Sequence, residues 1–188
     1  MEPKEIKKLF VNRKDVFAQQ TKNGTYFPIK EELTLDRIQE HVDGKRTLGV
    51  YVLNTENKVK FACVDIDAES EKSFIANPST TKKLAIKIYG LFKDKIIDRK
   101  MLEFSGRRGY HVWLFFKRKQ FAKFIKIMVE TRLHLNDIYR IEVFPKQTKL
   151  TPYRRYGSLI KLPFGIHKKS GKRSVIIMDT EKKGEEVN

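Results

Sequence analysis

The sequence predicts an α+β domain in which helices pack on a largely antiparallel sheet. Three observations predict it. Apolar runs with strand-like alternation come in pairs joined by short turn-forming segments, which is hairpin chemistry. Between the pairs lie stretches whose apolar residues recur three and four apart, the period of a helix packed on one side. From Val59 to Phe144 the order is strand, helix, strand, strand, helix, strand, which fits a split βαβ unit.

Each element follows from its residues. The first 47 residues read as an N-terminal α/β module, with Phe10, Val16, Phe17, Tyr26 and Phe27 spaced among polar side chains. Within it Thr34 caps a helix over roughly 35–43, and Gly44 ends it. Runs from Leu48 to Leu53 and from Val59 to Asp67 flank Asn54-Thr55-Glu56-Asn57-Lys58 and read as a first hairpin. Asn77-Pro78 starts a helix, proline being tolerated at the first helical position, and Leu84, Ala85, Ile88, Leu91 and Phe92 give it an apolar face to about residue 94. Met101 to Ser105, the turn Gly106-Arg107-Arg108-Gly109 and the apolar run Tyr110 to Phe116 form a second hairpin, whose outgoing strand is buried on both faces. Phe121, Phe124, Ile125, Met128 and Val129 mark the face of another helix, and strand-like segments follow at Tyr139–Phe144, Ser158–Leu162 and Ser174–Met178. On this reading residues 1–178 are one domain: a module over about 1–47 and an RRM-like core over about 48–178. A polar, frayed tail covers 179–188.

Composition narrows the function. With 40 Lys and Arg against 23 Asp and Glu, the formal charge is +17, which favours a polyanionic partner, nucleic acid first. No long apolar segment and no signal-like start accompany it, which argues against a membrane and for a soluble, cytoplasmic protein. Cys63 is the single cysteine, so an intramolecular disulfide and a multi-cysteine zinc site are excluded.

Four constellations carry possible chemistry. In Phe61-Ala62-Cys63-Val64-Asp65-Ile66-Asp67, strand alternation puts Asp65 and Asp67 on one face, ~7 Å apart, where they can hold a divalent cation or stand as solvated strand acids. Glu142 repeats the pattern between Ile141 and Val143, and a split βαβ unit lays its last strand beside its first, bringing Glu142 to Asp65 and Asp67; without the other motifs it reads first as an ordinary exposed strand acid. Ser105-Gly106-Arg107-Arg108-Gly109-Tyr110-His111 offers backbone N–H groups, two arginines and, across the turn, Ser105 and His111, which suits a phosphate; a basic hairpin tip with a core histidine is the alternative. Lys161 and His167 flank the turn Leu162-Pro163-Phe164-Gly165-Ile166, either to contact a triphosphate or primer strand or as surface residues.

Together these motifs resemble the archaeo-eukaryotic primase superfamily, which includes primase-polymerases and the polymerase domains of bacterial end-joining ligases. Its acid-x-acid pair is matched by Asp65-Ile66-Asp67, its Ser-Gly-x-x-Gly-x-His motif by Ser105 through His111, and its hydrophobic-acid motif by Ile141-Glu142. The stretches Glu142 to Gln147, Leu159 to Pro163 and Arg13 to Ala18 look most like primases of phage, conflict-system and CRISPR-associated operons. The resemblance implies a primase fold and a template-directed nucleotidyltransferase that adds nucleoside triphosphates to a 3′-hydroxyl on single-stranded or primed DNA. It further implies that Asp65, Asp67 and Glu142 hold two Mg²⁺ or Mn²⁺ ions and act catalytically, with Glu142 where many relatives carry Asp. Ser105, Arg107 and His111 would bind the triphosphate, with Lys161 and His167 beside them. No zinc is expected, and further domains of a longer parent protein are compatible with this core. Two rival readings are a metal-dependent nuclease using Asp65, Glu142 and Lys146, and a non-catalytic RRM-like binder.

Overall fold

The computed structural model describes residues 1–139 and 141–180 of the chain. The chain opens with helix α1 (Pro3–Phe10), the hairpin β1 (Phe17–Gln20) and β2 (Tyr26–Ile29), and helix α2 (Leu35–Val42). Thr34 caps α2 as its sequence requires: the hydroxyl accepts from the Arg37 N–H at 3.3 Å. Strand β3 (Leu48–Tyr51) then pairs with β1 on one edge and with β8 (Leu159–Lys161) on the other, giving a four-stranded sheet in the order β2-β1-β3-β8.

The second sheet holds β4 (Lys58–Asp67), β5 (Ile97–Phe104), β6 (Gly109–Phe121), β7 (Glu142–Phe144) and β9 (Val175–Asp179), in the order β7-β4-β6-β5-β9. Its first four strands are all antiparallel and lie in the sequence order fourth, first, third, second, which is the split βαβ topology the sequence predicts. The first crossover is α3 (Glu71–Ala76), closed by a Ser70–Ser73 capping box, and α4 (Pro78–Leu91), which starts at the expected proline. The second is α5 (Ala122–His134).

One expected hairpin does not form. The turn is present: the Asn54 N–H bonds the Lys58 carbonyl at 3.0 Å, and the Asn54 side chain accepts from the N–H groups of Glu56 and Lys58 at 3.1 and 2.8 Å. Yet β3 and β4 part into different sheets, because β3 is buried along its whole length and spends both its edges on β1 and β8. Of the tail expected over 179–188, residues 179 and 180 are described. Asp179 ends β9 and takes the Arg99 guanidinium in a bidentate pair at 2.9 and 2.6 Å, while the rest of the expected tail, 181–188, lies outside the described residues. Of the strand expected over 139–144, β7 covers 142–144, and residue 140 is likewise outside the description.

The five-stranded sheet is covered on both faces. On one, Phe10 of α1 meets Trp113, Phe115 and Phe61 with ring centroids 5.0, 5.1 and 6.1 Å apart, all in edge-on geometry. Burying a ring of this size contributes ~1.5–3 kcal/mol. On the other face, Ala62, Val64 and Ile66 are buried where Ala85, Ile88, Tyr89 and Phe92 at α4 and Ala122, Ile125, Val129 and Leu133 of α5 pack over the strands. Phe121 and Phe124, expected in the α5 core face, are instead 63% and 54% exposed, since the helix turns its Ala122–Leu133 stripe inward. Near the N-terminus Arg13 is buried, paired with Asp15 and bonded to the Arg155 carbonyl at 3.1 Å. Among the described residues no helix is long and apolar enough to cross a membrane.

Candidate active site

Strand register assembles the site. Asp65 lies directly opposite Glu142 on β7 and His111 on β6, and His111 lies directly opposite Glu103 on β5. Directly paired residues share a face, so Glu142, Asp65, His111 and Glu103 form one row across four strands, with neighbours ~4.8 Å apart in the sheet. The row beneath it is apolar: Phe144, Cys63, Trp113 and Met101. Asp67 stands one step further out, opposite Gly109. A Cβ on Gly109 would fall 2.0 Å from the Asp67 carboxylate oxygen, so glycine there leaves room for the acid.

The inner half of the row is buried and tightly bonded. The Glu103 carboxylate is fully buried and accepts from His111 Nδ1 at 2.8 Å and from the Trp113 indole N–H at 2.7 Å. His111 Nε2 faces Asp65 Oδ1 at 3.5 Å. Burial alone would push the imidazole towards its neutral form. The Glu103 charge, with hydrogen bonds to Asp65 and Glu103, outweighs it and carries the pKa up to about 10, so His111 is an imidazolium at neutral pH. Burial raises the Glu103 carboxyl, and the charge and hydrogen bond of His111 outweigh that, holding it below its usual range.

The outer half is wetter. Glu142 is exposed and turned to Lys146 Nζ at 2.7 Å. Asp67 is gripped by the Arg108 guanidinium at 3.2 and 3.3 Å, while burial and the neighbouring Asp65 raise its pKa. As they stand, no three acidic, histidine or cysteine side chains among the described residues converge as a metal centre would require. The donor set nonetheless suits a hard divalent cation: three carboxylates on one face, two of them adjacent. The bridges to Lys146 and Arg108 are partly exposed ion pairs of ~0–1 kcal/mol, small against the attraction of a divalent ion for the same oxygens.

The Ser105–Gly109 turn closes the opposite wall. The Ser105 N–H bonds the Gly109 carbonyl at 3.0 Å, and the Ala68 N–H bonds the Arg108 carbonyl at 3.2 Å. Gly106 sits at φ +94°, and a Cβ there would meet the Lys172 carbonyl at 2.8 Å and His167 Cβ at 3.1 Å, so the residues after β8 pack directly on the turn. From the other sheet Lys161 donates to the Ser105 carbonyl at 3.1 Å; burial lowers its pKa, and the Glu103 charge opposes that. Arg107 turns aside to Glu71 at 2.6 Å and, with His167, lines a separate basic cleft of about 420 Å³ that also holds Lys22, Lys168 and Lys169. Burial and the charges of Lys161 and Arg107 depress the His167 pKa, and its Nδ1 is buried with no hydrogen-bond partner among the described residues.

The residues singled out from sequence thus fall into three groups: Asp65, Asp67, Glu142 and His111 share one face, Ser105 and Lys161 are joined beside it, and Arg107 and His167 share the adjoining cleft. Sequence reasoning missed Glu103. Its signal was an acid inside the apolar run Met101-Leu102-Glu103-Phe104, at the position that a four-residue turn sets against His111.

A family model for the archaeo-eukaryotic primase domain of TOTE conflict systems matches residues 4–187. Among solved structures, the chain is similar to the archaeo-eukaryotic primase domain of the cyanophage S-2L primase-polymerase. The TM-score is 0.50 at 11% identity, over 87% of this chain and 80% of that one, a likeness of fold. No curated protein matches the chain.

Proposed function

Because the chain belongs to the archaeo-eukaryotic primase domain family of TOTE conflict systems, we propose that it is a template-directed primase-polymerase. It adds nucleoside triphosphates to the 3′-hydroxyl of a DNA-paired strand. The observation that carries the reading is the row Glu142–Asp65–His111–Glu103 with Asp67 beside it: accessible carboxylates at one end, and next to them a buried cation held from behind by Glu103. Family membership supports a nucleotidyltransferase kind of activity.

Asp65, Asp67 and Glu142 would hold Mg²⁺ or Mn²⁺. Bound there, the ions lower the pKa of an attacking hydroxyl and neutralise phosphate charge. His111 presents its Nε2–H as a charged donor at the inner wall, suited to a phosphate oxygen. Glu103 is a positioning residue: it fixes the imidazole ring through Nδ1 and keeps it protonated. Lys161 and Ser105 continue the cationic and polar wall, and Arg107 and His167 offer further positive and donor groups towards a triphosphate. Lys146 and Arg108 act as exchangeable counter-ions of Glu142 and Asp67. The excess of Lys and Arg grips template phosphates, so strand affinity falls steeply with salt.

The Glu142–Lys146 contact also favours a second reading, a nuclease in which lysine assists a carboxylate-held ion. One assay separates the readings. A labelled primer on a DNA template, with Mg²⁺ or Mn²⁺, should lengthen only when nucleotides are supplied. Shortening without nucleotides would establish the nuclease, and binding with neither change would establish a non-catalytic module. A primer-free arm, with ribo- and deoxyribonucleotides given separately, reads strand initiation and sugar preference.

A further inference from the structure

The far end of β4, away from the carboxylates, carries a second basic cleft that the proposed chemistry leaves unused. Its volume is about 540 Å³, and it lies among α1, the start of β4, β5 and the outer half of β6. Lys8, Lys60, Lys117, Arg118 and Lys119 line it, against the acids Glu5 and Asp98. Glu5 is already taken by Arg99 at 2.8 Å. Lys8, Lys117, Arg118 and Lys119 form no salt bridge among the described residues. Lys60 is different in kind: its ammonium is pinned by the carbonyls of Lys8 and Val11 at the end of α1, so its charge is fixed in place. Burial, and then the charges of Lys119 and Lys8, drive its pKa down to about 8.

The aromatic residues say what kind of anion fits. Phe115 and Phe116 line the cleft but are buried, so they offer no ring face to a base. Beyond them, at the end of the same strand and directly opposite Lys58, Phe121 is 63% exposed, with the Lys58 ammonium 5.3 Å from its ring centre. Lysines followed by an exposed ring are the combination that holds a single strand: phosphates on cations and a base on the aromatic face.

We propose that this cleft is a second contact for single-stranded nucleic acid, gripping its backbone without regard to sequence while Phe121 stacks one base. It rests on the reading of the chain as acting on nucleic acid. Lys60 and Asp67 are seven residues apart along β4, about 23 Å, or roughly seven steps of a stacked strand at ~3.4 Å each. The contact therefore engages long strands and not short ones.

The test compares the wild type with the variant Lys117→Gln, Lys119→Gln, whose exposed side chains make no hydrogen bond that folding needs. Binding of labelled strands of about four and about 20 nucleotides is measured from 50 to 200 mM salt. Each lysine lost should shallow the salt slope for the long strand by about 0.7, with affinity down several-fold at low salt. Short-strand affinity and incorporation on a short template should stay at wild-type values. Phe121→Ser should weaken the long strand with the slope unchanged, since it removes stacking and no charge. Long-strand affinity and slope equal to wild type, in a variant that still extends primers, would overturn the cleft and leave the catalytic reading intact. Lysine-dependent binding of polyglutamate in their place would assign it to an acidic protein. Conversely, lysine-dependent strand binding by a wild type that never extends a primer keeps the cleft and overturns the catalysis.

Discussion

His41 and His111 are both buried, yet the protein puts them in opposite charge states. At the seam between α2 and the four-stranded sheet, His41 has backbone partners. Its Nδ1 accepts from the Leu48 N–H at 3.0 Å, which places the proton on Nε2, and that N–H points to the carbonyls of Leu162 and Pro163 at 2.9 and 3.0 Å. Burial wins there, and the pKa falls to about 4. On the five-stranded sheet His111 is equally enclosed, but two carboxylates face it and its pKa rises to about 10. Burial decides what a histidine does only where its partners are uncharged. A seam needs a neutral ring that is satisfied on both sides, and the proposed phosphate site needs a positive one.

The two sites can be pushed apart experimentally. The largest expected effect comes from Glu103→Leu, which strands the buried His111 charge and leaves the Trp113 N–H without its acceptor. It should cost about 3–5 kcal/mol in urea unfolding. Glu103→Gln keeps an acceptor and should cost less, while an NMR titration shows the His111 pKa falling from about 10. A Glu103→Leu protein as stable as wild type would mean that the pair is not enclosed as described.

Acid should act through the other histidine. The unfolded imidazole binds a proton near pH 6.5 and the folded His41 only near pH 4, so between these values the unfolded state holds more protons and stability falls as pH falls. His41 contributes its full stability above pH 6.5, and about 3 kcal/mol is lost by pH 4. Unfolding of wild type and His41→Asn across this window isolates the contribution. A His41 signal that titrates near 6.5 in the folded protein would contradict it.

Much of this molecule is legible in its sequence, and what is not has physical causes. The β5–β6 hairpin, β4 and α4 announce themselves because periodicity and turn residues agree locally. The Asn54–Lys58 turn is equally plain, but which sheet β3 joins depends on β1 and β8, the latter about 110 residues further on. Phe121 and Phe124 look like core by residue type, yet α5 buries the smaller stripe Ala122, Ile125, Val129 and Leu133. In the candidate site the facing of Asp65, Asp67 and Glu142 follows from alternation and strand order. The β5–β6 turn sets Glu103 against His111, but its burial does not follow from the hairpin alone, since it depends on what the rest of the fold lays over that strand.

The most direct measurement is primer extension by the double variant Asp65→Ala, Asp67→Ala, set beside its affinity for the same primed template. Synthesis should fall on the order of 10³-fold or to background, with template binding largely intact, because on the proposed reading the acids serve the chemistry and the lysines serve the strand. Extension at the wild-type rate without these two carboxylates would contradict the account.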